Sequence, residues 1–298
     1  MRFPMVQPVT EMTRAALGAR LAPGAAEYLD MFHDDAVFEF PFGPSGPVRI
    51  EGKPAMADYL AKIEGSTVFE LFELTASYPV RDGGMVLEYR CRARAGKSGT
   101  PFEQAYVAVI ETADGRIRLY REYLDPLNIP GVADRAPATP LDTTPLPGRP
   151  TSLDQILRTA LGDRLAAGAD NFIGMFAEEG VLECPFAPPG AIRCLAGKQV
   201  IAAYTERLTA IQGSDGLTLR GIYPVEDARV ALAEYEGMVR NKRDGGSYRQ
   251  RYLAVVTVDD GRVTLFREYW NPLPVVASFG PAGPVPILPT PCVRSGSS

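Results

Sequence analysis

Residues 114–127 read DGRIRLYREYLDPL, and residues 260–273 read DGRVTLFREYWNPL. Each stretch opens on Asp-Gly, a dipeptide suited to the left-handed backbone of a two-residue hairpin, and runs on as a strand. Working outward, the same pairing continues. LGARLAPGA at 17–25 returns as LGDRLAAGA at 161–169, Glu39-Phe40-Pro41-Phe42 as Glu183-Cys184-Pro185-Phe186, and Tyr78-Pro79-Val80 as Tyr223-Pro224-Val225. The spacing is 144 residues at the first match and 146 at the last, so only two net residues separate the copies. The chain is one unit written twice.

Within a unit the reading is helices first, strands after. Residues 9–33 carry two helical stretches broken at Pro23-Gly24. Residues 37–42 alternate, with Phe38, Phe40 and Phe42 on one face and Glu39 on the other. Residues 54–63 form a short helix with proline in its first turn, and strands follow at 68–80, 85–94, 102–111 and 116–124. Helices grouped before an antiparallel meander predict an α+β fold, with helices packed on one face of a curved antiparallel sheet. The organisation expected is domain 1 at 1–127, a Pro-rich semi-extended linker at 128–151, domain 2 at 152–275 and a Pro-rich tail at 276–298.

Composition narrows the chemistry. At about 150 residues per domain, 298 residues accommodate two cores. With 31 basic against 36 acidic residues and no basic run, the footprint of a nucleic-acid or anionic-membrane partner is missing. No stretch approaches the ~18 apolar residues of a membrane span, and the first residues lack a signal-peptide apolar run, so a cytoplasmic protein is expected. Cys91, Cys184, Cys194 and Cys292 show no CxxC spacing and read as reduced thiols. The single histidine, His33, argues against a Ser-His-Asp triad and a His-rich metal site. No Gly-rich phosphate loop or metal-spaced cluster occurs, so no cofactor is expected.

The element order, MFHDDAVFEFPF at 31–42 and REYWNPL at 267–273 together resemble the NTF2-like superfamily, and within it the SnoaL-like branch. The resemblance covers each copy nearly end to end. It implies a cone-shaped pocket between helices and the concave sheet face, in a family of isomerases, polyketide cyclases, epoxide hydrolases, dehydratases and inert modules. The ketosteroid isomerase base, an Asp before Pro on the first strand, falls here on Phe40 and Cys184, neither of which can act as that base. The isomerase's first-helix Tyr falls near Ala16 or Leu17. Arg267-Glu268-Tyr269 resembles the Arg-Glu-Phe of phenazine-biosynthesis A/B proteins, whose Glu is a general acid/base; that family's partner His has no counterpart. Family members pair through convex sheet faces, which implies an internal pseudo-dimer within a monomeric chain.

Counting from the hairpin glycines puts Tyr120, Glu122 and Leu124 on one face of the last strand, and Phe266, Glu268 and Trp270 on its equivalent. The resemblance turns that face into the pocket. A carboxyl walled by Phe266, Trp270, Phe186 and Cys184 loses hydration, which raises its pKa toward neutrality and suits proton transfer. Glu268 and Glu122 are the candidate acid/base residues, with Glu268 preferred because Trp270 and Cys184 suggest a roomier, ligand-stacking pocket and Phe40 makes the first copy look more filled. Tyr204, Tyr223 and Tyr235, with Tyr59 and Tyr120 in copy one, are candidates to orient substrate oxygens. Gln104 and Tyr106, repeated as Gln250 and Tyr252, count to the convex side unless a bulge intervenes. The expected ligand is a small hydrophobic molecule, and the expected activity a cofactor-free isomerase, cyclase or dehydratase. A non-catalytic binding module and an epoxide hydrolase are the alternatives.

Overall fold

The computed structural model describes residues 6–285 apart from 65, 97 and 149. The chain divides into two units, Met1–Ala133 and Asp134–Ser298. In the first, α1 (Gln7–Leu17) leads through 3₁₀ turns at Gly18–Arg20 and Tyr28–Met31 into β1 (Phe32–Phe40), β2 (Val48–Glu51) and α2 (Lys53–Ile63). Four long strands follow: β3 (Thr67–Pro79), β4 (Met85–Ala95), β5 (Pro101–Ala113) and β6 (Arg116–Leu124). The second unit repeats the order as α3 (Leu153–Leu161), α4 (Phe172–Met175), β7 (Phe176–Glu183), β8 (Cys194–Ala196), α5 (Lys198–Ile211), β9 (Gln212–Tyr223), β10 (Val230–Asn241), β11 (Ser247–Asp259) and β12 (Arg262–Trp270), then adds α6 (Pro272–Phe279).

Each sheet has six strands, ordered β2-β1-β6-β5-β4-β3 and β8-β7-β12-β11-β10-β9. β1 lies parallel to β6 and β7 to β12, so the sheets are mixed rather than wholly antiparallel. The meander returns its last strand beside the first, running the same way. Residues 48–51 form a short edge strand that the apolar pattern does not announce. The architecture is α+β in two tandem units.

The Asp-Gly turns take the geometry their chemistry favours. Asp114 and Gly115 have φ of 51° and 70°, and Asp260 and Gly261 have 45° and 75°. Two successive positive φ values make the type I′ turn that matches strand twist. A Cβ on Gly261 would stand 2.6 Å from the Cβ of Ala166, so the loop before β7 closes on a bare glycine.

Three readings of the connecting segments change. Residues 128–151 are not a free spacer: Thr151 and Leu217 exchange two backbone hydrogen bonds, the Arg249 amide donates to the Asp142 carbonyl, and Leu141 packs against Val239, Tyr248 and Val275. The start of the tail is helical, because Leu273, Val275 and Val276 have a surface on which to bury. Cys194 is disulfide-bonded, which corrects its reading as a reduced thiol; Cys91 and Cys184 are free and buried. Cys292 and residues 286–298 lie outside the described residues. No described helix is long and apolar enough to cross a membrane, and among the described residues no group of three His, Cys, Asp or Glu is placed to hold a metal ion.

Candidate active site

The core of the first unit lies between α1, α2, the turn at Tyr28–Met31 and one face of the sheet. Its apolar wall is aromatic: Phe32 meets Phe38 edge-on at 4.9 Å, Phe38 meets Tyr120 at 5.7 Å, and Tyr89 stacks on Tyr106 at 4.9 Å. Such pairs contribute about 0.5–1.5 kcal/mol each beyond buried area. They also fix ring positions around the polar atoms among them.

A cavity of about 270 Å³ opens within this wall. Phe38, Phe40, Tyr59, Phe69, Phe72 and Phe102 line it, together with Tyr106, Tyr120 and Glu122. Phe40 does not plug it. Its ring lies nearly flat on Tyr59, with centroids 5.4 Å apart and planes at 29°, and is part of the cavity wall. The first cone is therefore not filled by Phe40, as its size alone suggests.

Glu122 projects from β6 across from Ala108 on β5, a residue too small to cover it. Tyr89 on β4 donates its hydroxyl proton to Glu122 Oε2, and the Tyr89 and Tyr120 oxygens are 2.9 Å apart. Burial pushes the Glu122 carboxyl up to about 7, while hydrogen bonds from Tyr89 and Tyr120 act in the opposite direction. Burial, then the Glu122 charge, raises Tyr59 to about 12, so its phenol stays protonated at neutral pH. Burial likewise holds Tyr89 and Tyr120 well above the ordinary phenol range.

Gln104 and Tyr106 also face the cavity, not the convex side. Glu111 pairs with Leu119 but Thr112 with Ile117, leaving Arg118 as an extra residue near the hairpin. That bulge inverts the count, setting Tyr106 opposite Leu124 on the face of Glu122. The second unit shifts register in the same place, between Thr257 and Val258, and pairs Tyr252 with Trp270.

In the second unit Glu268 lies on the core face and accepts a hydrogen bond from Tyr235. Burial lifts its carboxyl to about 7, against that bond. Tyr235 stacks on Tyr252 at 5.1 Å, and Phe266 is buried against Phe172 at 5.3 Å. Cys184, Tyr204 and Trp270 gather near Glu268: the Trp270 indole bonds the Cys184 sulfur, and the Glu268 charge acts on Cys184 and Tyr204. Burial first, then Glu268, pushes the Cys184 thiol up to about 12. The phenols differ between the copies, since Phe266 and Phe172 stand where Tyr120 and Tyr28 stand in copy one.

Two residues placed in the second pocket by sequence lie elsewhere. Phe186 packs edge-on against Tyr269 at 5.0 Å, on the side of β12 opposite Glu268. Tyr223 donates to Glu234 at 2.9 Å, and Glu234 alternates with the inward Tyr235. The alternation of β1 ends at Phe40, so Phe42 turns away to meet Tyr123 at 4.9 Å. Glu39 pairs with Arg49 and Arg121, and Glu183 with Arg267 at 2.6 Å, outside the cavity. His33 bonds exposed Asp35 at 2.7 Å. Tyr89 and its counterpart Tyr235 supply the phenol that touches each carboxyl; the recurrence of Tyr at this 146-residue spacing is the signal for Tyr89.

Residues 12–120 match the sequence profile of the SnoaL-like domain family. The uncharacterized protein YesE of Bacillus subtilis is 36% identical over 119 residues, spanning 39% of this chain and 81% of that protein. An uncharacterized PhzA/B-like protein of Pseudomonas aeruginosa is 32% identical over 120 residues, 38% of this chain and 79% of its own length. Among solved structures, a phenazine biosynthesis-related protein of Pseudomonas aeruginosa aligns with TM-score 0.32 and 18% identity, over 41% of this chain and 80% of that one.

Proposed function

Because the chain belongs to the SnoaL-like domain family, we propose that its first unit catalyses proton transfer on a small hydrophobic carbonyl compound without a cofactor, as an isomerase or cyclase. The observation that carries this reading is Glu122, a carboxyl lining an aromatic cavity and held there by Tyr89, where burial pushes it up to about 7. A group titrating near the working pH is populated as both base and acid, which is where general acid/base catalysis is most effective.

The steps follow from the residues. Ionised Glu122 removes a proton from a carbon next to the substrate carbonyl; the electron pair of that C–H bond forms a C=C bond as the carbonyl π pair moves onto oxygen. The Tyr59 phenol lines the same cavity and stays protonated, so it donates to the developing oxyanion. Tyr89 and Tyr120 hold the Glu122 carboxyl in place. In a β,γ-unsaturated substrate the proton now on Glu122 returns to the γ-carbon, giving the conjugated isomer; alternatively the enolate carbon closes a ring onto a second carbonyl of the same molecule, whose oxygen takes the displaced electron pair and the proton from Glu122. Glu122 is the one carboxylate among the described residues lining the cavity. That favours a single shuttling base over a hydrolysis that needs a second carboxylate to activate water.

The test is α-proton exchange of 2-tetralone in D₂O, followed by NMR. The wild type is expected to accelerate exchange over buffer, and Glu122→Gln to lower that rate by about 10²–10⁴-fold. Wild-type exchange rates in Glu122→Gln remove the residue from the chemistry.

A further inference from the structure

The lining of the copy-one cavity is selective in charge as well as size. Glu122 is joined there by aromatic rings, aliphatic side chains, Thr67 and Gln104, and no Lys, Arg or His is among the described residues of the wall. Gln104 is already committed: its amide nitrogen donates to the Asp125 carbonyl at 2.8 Å, and its oxygen accepts the Ala105 amide at 3.0 Å. A carboxylate or phosphate entering this space meets no counter-charge and stands beside a carboxyl already disfavoured as an anion. A buried charge without a partner is expelled rather than bound.

Size follows from volume. An apolar cavity of about 150 Å³ holds one benzene ring. At about 270 Å³ this one is roughly 1.8 times larger, room for two fused rings. Phe40 is part of this wall, held nearly flat against Tyr59 and edge-on to Phe38 at 6.1 Å, 87°. The chain carries the contrasting case itself, since the matching position of the second unit is Cys184.

We propose that the copy-one cavity binds two-ring ligands without negative charge, and that Phe40 sets the upper limit on ring number. The proposal rests on the cavity being the ligand site of the function above, but its test reads binding alone. Isothermal titration at pH 7.5 compares 2-naphthol, 2-naphthoate and 9-phenanthrol on the full chain. The expected order is 2-naphthol tightest, with 2-naphthoate at least about 100-fold weaker for its unpaired charge, and 9-phenanthrol without measurable binding.

Phe40→Cys, which copies the second unit, is expected to gain 9-phenanthrol affinity by about tenfold or more, with Phe40→Leu as a second variant of intermediate volume. Naphthoate binding as tightly as naphthol overturns the charge rule, and wild-type binding of 9-phenanthrol overturns the size limit. Absence of naphthol binding overturns both. The wild-type comparison needs no variant to fold. Selective naphthol binding with unchanged exchange in Glu122→Gln leaves this proposal standing while the catalytic reading falls.

Discussion

Replacing Glu122 with Gln is predicted to make the protein more stable, and only at neutral and alkaline pH. Burial raises the carboxyl from its usual 4.5 to about 7. Between those values the folded state binds a proton that the unfolded state has released. Stability from this group is therefore complete below pH 4.5 and is lost as pH rises to 7. The rise spans about 2.5 pH units, and at 1.36 kcal/mol per unit the ceiling is about 3.4 kcal/mol. The carboxyl borders a cavity that admits water, so a loss of about 1–2 kcal/mol is the working figure. Gln keeps the shape and still accepts the Tyr89 proton, but never ionises. Calorimetric melts of wild type and Glu122→Gln across pH 4.5–8.5 should coincide at the acid end. They should separate by roughly 4–8 °C in favour of the variant at pH 8. Equal melting at pH 8, or a variant less stable there than at pH 5 relative to wild type, refutes a carboxyl held neutral by burial.

Other predictions address single contacts. Tyr89→Phe deletes a donor to the ionised carboxyl, so the Glu122 midpoint should climb by about one unit in a carboxyl-labelled NMR titration; an unchanged midpoint removes that bond from the account. Arg267→Ala removes the 2.6 Å ion-pair partner of the largely enclosed Glu183, and denaturant unfolding should show a loss of about 1.5–3 kcal/mol, against nearly none if the pair is only decorative. Gly261→Ala forces a Cβ onto Ala166 at positive φ, costing about 1–3 kcal/mol in the same assay. Cys184, buried and pushed up to about 12, should resist alkylation at pH 8 until the chain is denatured; rapid labelling of the native protein contradicts its enclosure.

Which parts of this were legible from residues alone follows from where the physics is local. The duplication and the Asp-Gly hairpins are readable because a type I′ turn spans few residues, and the shared face of Tyr120, Glu122 and Leu124 because the two-residue period is unbroken there, while its inward direction comes from the family resemblance. The inward face of Tyr106 is not, because one bulged residue at Arg118 reverses every count made through it. Phe42 and Phe186 follow Pro41 and Pro185, beyond the ends of β1 and β7, where strand alternation no longer holds. Tyr223 ends β9, whose register against β10 shifts twice. Tyr89 is a different case: its approach to Glu122 joins non-adjacent strands across β5, a tertiary contact no local pattern encodes. The openness of the first cone is hidden for a similar reason. The size of Phe40 is visible in sequence, whereas its flat packing on Tyr59 is not.

The central claim is tested most directly by titrating the Glu122 side-chain carbon in ¹³C-glutamate-labelled protein, assigned by difference against Glu122→Gln. A midpoint near 7 that moves when 2-naphthol occupies the cavity is the predicted result. A midpoint near 4.5, indifferent to ligand, contradicts a desolvated carboxyl facing that cavity and with it the proton-transfer role.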